Sequence, residues 1–118
     1  MERLSARPRL ALTVGDPAGI GPEIVLRALA SPECPSADWV VYGPLAALEE
    51  RSRRFGLPRL VALAAGAVDV PGPPVPLGAI SAEGGRAAAA AVLAAVGDAR
   101  SGAVAGIVKR SVARPSKR

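Results

Sequence analysis

Apolar residues occur along the chain in short runs separated by turn-forming residues, and those runs set the first expectations. Leu10–Val14 is a short, almost wholly apolar run that stops at Gly15, as a buried strand would. Pro22–Ala30 then places Ile24, Val25, Leu26 and Leu29 on one side of a helix. Two prolines mark Ser31–Ser36 as a loop. Trp39–Tyr42 reads as a second strand, closed by Gly43-Pro44. Leu45–Phe55 returns to helical spacing and ends at Gly56, a residue suited to a helix C-cap. On that helix Glu49 and Arg53 are four apart and form a candidate surface pair.

Further along, the alternation of Val61 and Leu63 predicts a third strand over Arg59–Ala65. The prolines of Val70–Leu77 exclude a helix or a central strand and predict a rigid connecting loop. Its P-x-x-P spacing is also that of a ligand for an SH3-like groove, but no basic residue closely flanks the prolines. Ser81 is placed to cap the next helix, with Glu83 in its first turn and the alanine-rich Arg86–Val96 as its body. Gly102–Val108 reads as a fourth strand. Strands alternating with helices predict an α/β fold: a layered, mostly parallel sheet with flanking helices.

Composition narrows this picture. The 118 residues suffice for one ordinary domain, and half of them are hydrophobic. Aromatic residues make up only 3%, so a core must rest on Ala, Val, Leu and Ile. Trp39 and Tyr42 are expected to pack rather than to stack on a ligand. Residues 1–108 carry ten arginines balanced by ten acidic residues; the formal charge of +5 arises from the last ten residues. Cys34 is the single cysteine, which excludes a disulfide framework and suggests a reducing compartment. The first apolar run is too short for a signal peptide, and no run is long enough to span a bilayer, so a cytoplasmic protein is expected.

The candidate chemistry lies between the first strand and the first helix, in Gly15-Asp16-Pro17-Ala18-Gly19-Ile20-Gly21-Pro22-Glu23. Glycines permit tight turning, and Pro22 suits a helix start. The free N–H groups and dipole of such a start favour an anion such as phosphate. The spacing of Gly15, Gly19 and Gly21 matches neither the dinucleotide fingerprint nor the P-loop. A ligand site at Gly15, Asp16, Gly19 and Gly21 and a purely structural turn both remain open. Asp16 would orient a polar group of a ligand or cap the turn with its own side chain. Glu23 is expected to complement the helix dipole, and Arg86 to be a surface residue rather than an anion ligand.

As a string, Thr13–Glu23 resembles the amino-terminal signature of the 4-hydroxythreonine-4-phosphate dehydrogenase family, which relatives acting on phosphorylated threonate and erythronate share. Leu77–Ala88 is similar to a second family segment, and the resemblance runs over residues 9–108. It implies an incomplete version of the isocitrate/isopropylmalate dehydrogenase-like fold over residues 1–108. It also implies a phosphorylated small-molecule substrate, NAD(P), a divalent metal and a homodimer in the complete enzyme, which serves pyridoxal phosphate synthesis.

After Val108 the resemblance stops. The family continues with a Thr-x-Pro-x-Asn-Lys motif, where this chain has Lys109-Arg110-Ser111-Val112-Ala113-Arg114. The sequence contains no histidine, so the family's histidine metal site has no counterpart in it. The expectation is that neither metal nor NAD(P) binds productively to this chain alone, and that it is catalytically inactive. Residues 109–118 are read as a disordered basic tail. One alternative is an anion-binding arm on a non-catalytic module, with nucleic acid an unlikely partner because no aromatic residues interleave the charges. The reading favoured over both is a truncated or out-of-frame terminus, which makes the chain a truncated member of that family.

Overall fold

A computed structural model describes residues 7–15, 19–71 and 82–109. The elements run β1 (Arg9–Thr13), α1 (Gly21–Ala30), β2 (Asp38–Gly43), α2 (Leu45–Phe55), α3 (Leu60–Leu63), β3 (Gly66–Asp69), α4 (Ala82–Arg100) and β4 (Gly106–Lys109). All four strands lie in one sheet ordered β3-β2-β1-β4, and every pairing is parallel. The expected α/β class is therefore the one observed.

Strand alternation divides the core between the two faces of the sheet. Leu12, Val14, Trp39 and Val41 face one way and pack against Val25 and Leu26 of α1, Leu48 of α2 and Leu60 of α3. Ala11, Val40 and Tyr42 face the other way and pack against Ala91 and Ala95 of α4. The chain steps outward from β1 through β2 to β3, then crosses back over the sheet to β4. Right-handed crossovers running in opposite directions put their helices on opposite faces, which accounts for α4 lying alone on its side.

Local chemistry explains where the elements end. Gly56 adopts φ +64° after α2, a left-handed C-cap that an L side chain would strain. At the other end of α2, Pro44 offers no side-chain cap, and the carboxylate of Asp69 accepts from the Leu45 N–H at 3.0 Å. Thus α2 is capped by a residue of another strand. Trp39 packs as expected and donates its indole N–H to the Pro35 carbonyl at 3.2 Å.

Three sequence expectations need correction. Arg59–Ala65 is not a strand: Leu60–Leu63 forms the short helix α3, and the third strand begins at Gly66. In the helical phase Leu60 is buried while Val61 is 71% exposed, and the run's alanines favour that state over a strand. The Ala65 N–H then donates to the Trp39 carbonyl at 2.8 Å, which brings the chain into register beside β2. Second, Glu49 pairs with Arg59 at 2.9 Å rather than with Arg53, because the turn after α2 brings Arg59 back over the helix. The i,i+4 pair on α2 is Glu50–Arg54. Third, the fourth strand is confined to Gly106–Lys109, since Gly102 turns the chain at φ +86° and α4 extends to Arg100. Lys109, assigned above to the basic tail, closes β4 opposite Thr13. Ser81, most of the proline-rich loop and residues 110–118 lie outside the described residues.

Candidate functional site

In an open parallel sheet, ligands bind beyond the carboxyl ends of strands where the direction of winding reverses. Here the reversal falls between β1 and β4, and the turn singled out in the sequence leaves the sheet from the end of β1. Gly15 stands at φ +88° with open space where a side chain would project, so backbone conformation rather than crowding requires glycine. Gly19 lies in the turn and Gly21 is the first residue of α1. Asp16 lies outside the described residues.

The start of α1 is bare of side-chain caps. Ile20 occupies the N-cap position without a side-chain hydrogen bond and is 64% exposed. Its carbonyl accepts the Ile24 N–H at 2.9 Å, the first helical bond. Pro22 is the second helical residue, is buried, and contributes no N–H. The Gly21 and Glu23 N–H groups are thus in the end-of-helix position that an anion can use. Glu23 sits in the first turn of α1 and also pairs with Arg27 at 2.8 Å.

Beneath the turn, β1 is held tightly at its end. The Val14 N–H donates to the Tyr42 carbonyl at 3.1 Å. A Cβ at Gly43 would approach Val14 Cγ2 to 2.7 Å and Val14 Cβ to 2.8 Å, so this position must remain glycine for Val14 to keep its place. Thr13, which is buried, lies in register between Tyr42 of β2 and Lys109 of β4. On the α4 face the Tyr42 hydroxyl donates to Asp98 Oδ2 at 2.6 Å. Burial, reinforced by that hydrogen bond and the nearby carboxylate, pushes the Tyr42 phenol from its ordinary value of 10.0 up to about 12.

These supporting residues escaped the sequence reading. The Gly43-Pro44 pair marked a strand end, but nothing local revealed Val14 as its neighbour. Asp98 and Asp69 act across 56 and 24 residues of sequence respectively, separations that no periodicity reports. Arg86 is exposed near the start of α4, as expected of a surface residue.

A cavity of about 290 Å³ opens elsewhere, beside β3, lined mainly by Leu45, Leu48, Leu60, Val61 and Ala64. Glu49 stands in its lining, and the hydrogen bond from Arg59 holds the Glu49 carboxyl below the usual range. None of the described residues of the Gly15–Gly21 turn lines it. At that size and with that lining it does not suit a dinucleotide.

The resemblance implies a divalent metal, and among the described residues the donor set does not fit one. The sequence lacks histidine, and among the described residues no three His, Cys, Asp or Glu side chains are grouped to hold an ion. Among the described residues no helix is long and apolar enough to cross a membrane.

No protein-family model matches the chain. A 4-hydroxythreonine-4-phosphate dehydrogenase of Burkholderia vietnamiensis is 36% identical over 110 residues, which cover 88% of this chain and 33% of that protein. The crystal structure of a 4-hydroxythreonine-4-phosphate dehydrogenase from Klebsiella pneumoniae superposes with a TM-score of 0.79 at 28% identity, covering 92% of this chain and 38% of its own. A terephthalate 1,2-cis-dihydrodiol dehydrogenase from Burkholderia xenovorans matches with a TM-score of 0.67 at 37% identity, covering 86% of this chain and 33% of its own. By sequence and by fold, the chain is related over most of its length to the 4-hydroxythreonine-4-phosphate dehydrogenases and spans about one third of theirs.

Proposed function

We propose that this chain forms one wall of the catalytic cleft of an NAD-dependent dehydrogenase acting on 4-phosphohydroxy-L-threonine, in the route to pyridoxal 5'-phosphate. The observation that carries this reading is the Gly15–Gly21 turn at the winding reversal of a sheet matched to dehydrogenases over 92% of the chain. In the complete reaction, nicotinamide would supply the hydride acceptor for the hydrogen on carbon C3, the C3 hydroxyl would give its proton to a base, and the resulting β-keto acid would lose carbon dioxide. This chain's share is positional. Gly15 swings the backbone out of the sheet, and the Gly21 and Glu23 N–H groups present partial positive charge to an anionic group of substrate or cofactor. Among the described residues no group of side chains is arranged to hold a metal, and on this reading catalysis needs the further chain that the longer relatives carry.

The choice of substrate is the finer point. The dihydrodiol dehydrogenase neighbour is 37% identical, against 28% for the Klebsiella enzyme. That supports a shared scaffold in the matched part, with substrate choice set elsewhere. A 56% identity over 34 residues to a D-threonate 4-phosphate dehydrogenase of Pectobacterium atrosepticum supports a 4-phosphothreonate or 4-phosphoerythronate substrate as the second reading.

A chimera tests both halves. The matched segment of the Klebsiella enzyme is replaced by residues 9–108 of this chain, and NADH formation is followed with 4-phosphohydroxy-L-threonine. Activity is expected from the chimera and none from the isolated chain. A folded but inactive chimera sinks the first claim, and NADH formation by the isolated chain sinks the second.

A further inference from the structure

The cavity beside β3 has no part in the proposed reaction, yet its lining is chemically specific. Leu45 and Leu48 of α2, Leu60 and Val61 of α3 and Ala67 of β3 give it apolar walls. Its volume is about 290 Å³. A leucine-lined cavity of about 150 Å³ already takes up benzene. The space therefore admits a branched apolar side chain together with a small polar head.

One charged group stands in this apolar wall. The Glu49 carboxylate lines the cavity and accepts a hydrogen bond from Arg59 at 2.9 Å, through Oε2 and Nη2. Arg59 directly precedes Leu60, so the guanidinium is tethered at the same rim. That bond leaves Glu49 Oε1 and the remaining guanidinium N–H groups available to a further partner. A ligand with only a negative charge would be drawn to Arg59 and repelled by Glu49, and one with only a positive charge the reverse. A molecule carrying both charges a single carbon apart is attracted by both members of the pair. Joined to an apolar side chain, that molecule is an α-amino acid.

We propose that the α2–α3–β3 cavity binds a free α-amino acid with a branched apolar side chain, of which leucine is the type. Its ammonium lies on Glu49, its carboxylate on Arg59 and its side chain among Leu45, Leu48 and Leu60. The Arg59 side chain is 66% exposed and that of Glu49 36%, so water weakens both charge contacts. A dissociation constant of about 1 mM is expected. The site is independent of the dehydrogenase reading.

The test is titration of the 118-residue chain with L-leucine, followed by amide chemical shifts. Saturable shifts are expected at Leu48, Val61 and Ala67. Glycine, leucinamide and N-acetyl-leucine each lack one of the three recognised features and should bind at least about fivefold more weakly. Glu49→Gln and Arg59→Gln should weaken leucine by a similar factor. Ala67→Phe, at an exposed position of β3, should fill the cavity and abolish binding. The emission of Trp39, the single tryptophan, reports that each variant stays folded. Absence of saturable shifts up to about 20 mM leucine overturns the proposal, as does glycine binding equal to that of leucine. Undiminished binding of leucine blocked at both ends overturns it in favour of a purely apolar ligand or a peptide added to the β3 edge.

Discussion

The two faces of the sheet are packed by different means. On the α1–α2–α3 face the buried side chains are large: Leu12, Val14, Val25, Leu26, Trp39, Val41, Leu48 and Leu60. On the α4 face they are mostly small: Ala11, Ala91, Ala95, Val40 and Val104, with Tyr42 the one bulky member. Fully burying a leucine or valine contributes about 1.5–3 kcal/mol, whereas an alanine contributes far less. The first face is therefore held by transfer of branched side chains from water. The second depends on close approach of α4 to the strands and on the Tyr42–Asp98 hydrogen bond that joins β2 to the end of α4. A domain so short of aromatic residues has little stability in reserve, so each mechanism is exposed to a single substitution.

The strongest blow to the first face is Leu26→Ala. Leu26 is wholly buried, and its loss is expected to cost about 2–5 kcal/mol in chemical denaturation, enough to unfold much of the population. A cost below about 1 kcal/mol would mean that the face can collapse around a cavity, and the contrast would fail.

The second face is tested most sharply by alkali. Because the Tyr42 phenol ionises near 12 when folded and near 10.0 when free, the folded state keeps its proton longer. That contribution is fully present below pH 10 and is lost as pH rises through 12, amounting to roughly 2–3 kcal/mol at the upper end. Denaturation midpoints of the native chain and Tyr42→Phe, compared across this window, should differ in slope. Tyr42 is the sole tyrosine, so the phenolate absorbance band reports its ionisation directly. Parallel slopes would show that the hydroxyl is not sequestered.

A smaller effect, about 1–3 kcal/mol of destabilisation, is expected when Ala91→Leu overfills the tight seam under α4. The seam should also lose protection from amide exchange along β1 and β2. Stabilisation by this leucine would reveal slack packing and bring the two faces closer in character.

The elements read correctly from sequence share one property: their signals are local. β1 and β2 are compact apolar runs ended by glycine, and α2 combines helical periodicity with Gly56 in the left-handed region. The Gly15 turn was legible for the same reason, since a strand, glycines and a proline-started helix follow one another within a few residues. That the turn leaves the sheet beside the winding reversal was not legible, because that depends on where β4 returns. The misread segments carry weak local preferences. Gly66–Asp69 has little intrinsic bias toward a strand, and pairing with β2 makes it one. Glu49 pairs with Arg59 rather than with the Arg53 expected of it because the turn after α2 set the distance.

By itself, then, the amino-acid sequence determined the α/β class, the backbone shape demanded at Gly15 and Gly56, and the kinship with the dehydrogenases. Those are matters of periodicity, φ and string identity, each complete within a short stretch. Only the tertiary structure decided that Asp69 caps α2, that Tyr42 reaches Asp98, and that Lys109 ends a strand beside Thr13. Each of those depends on the distance between elements far apart in the chain, which packing sets and local preference does not encode.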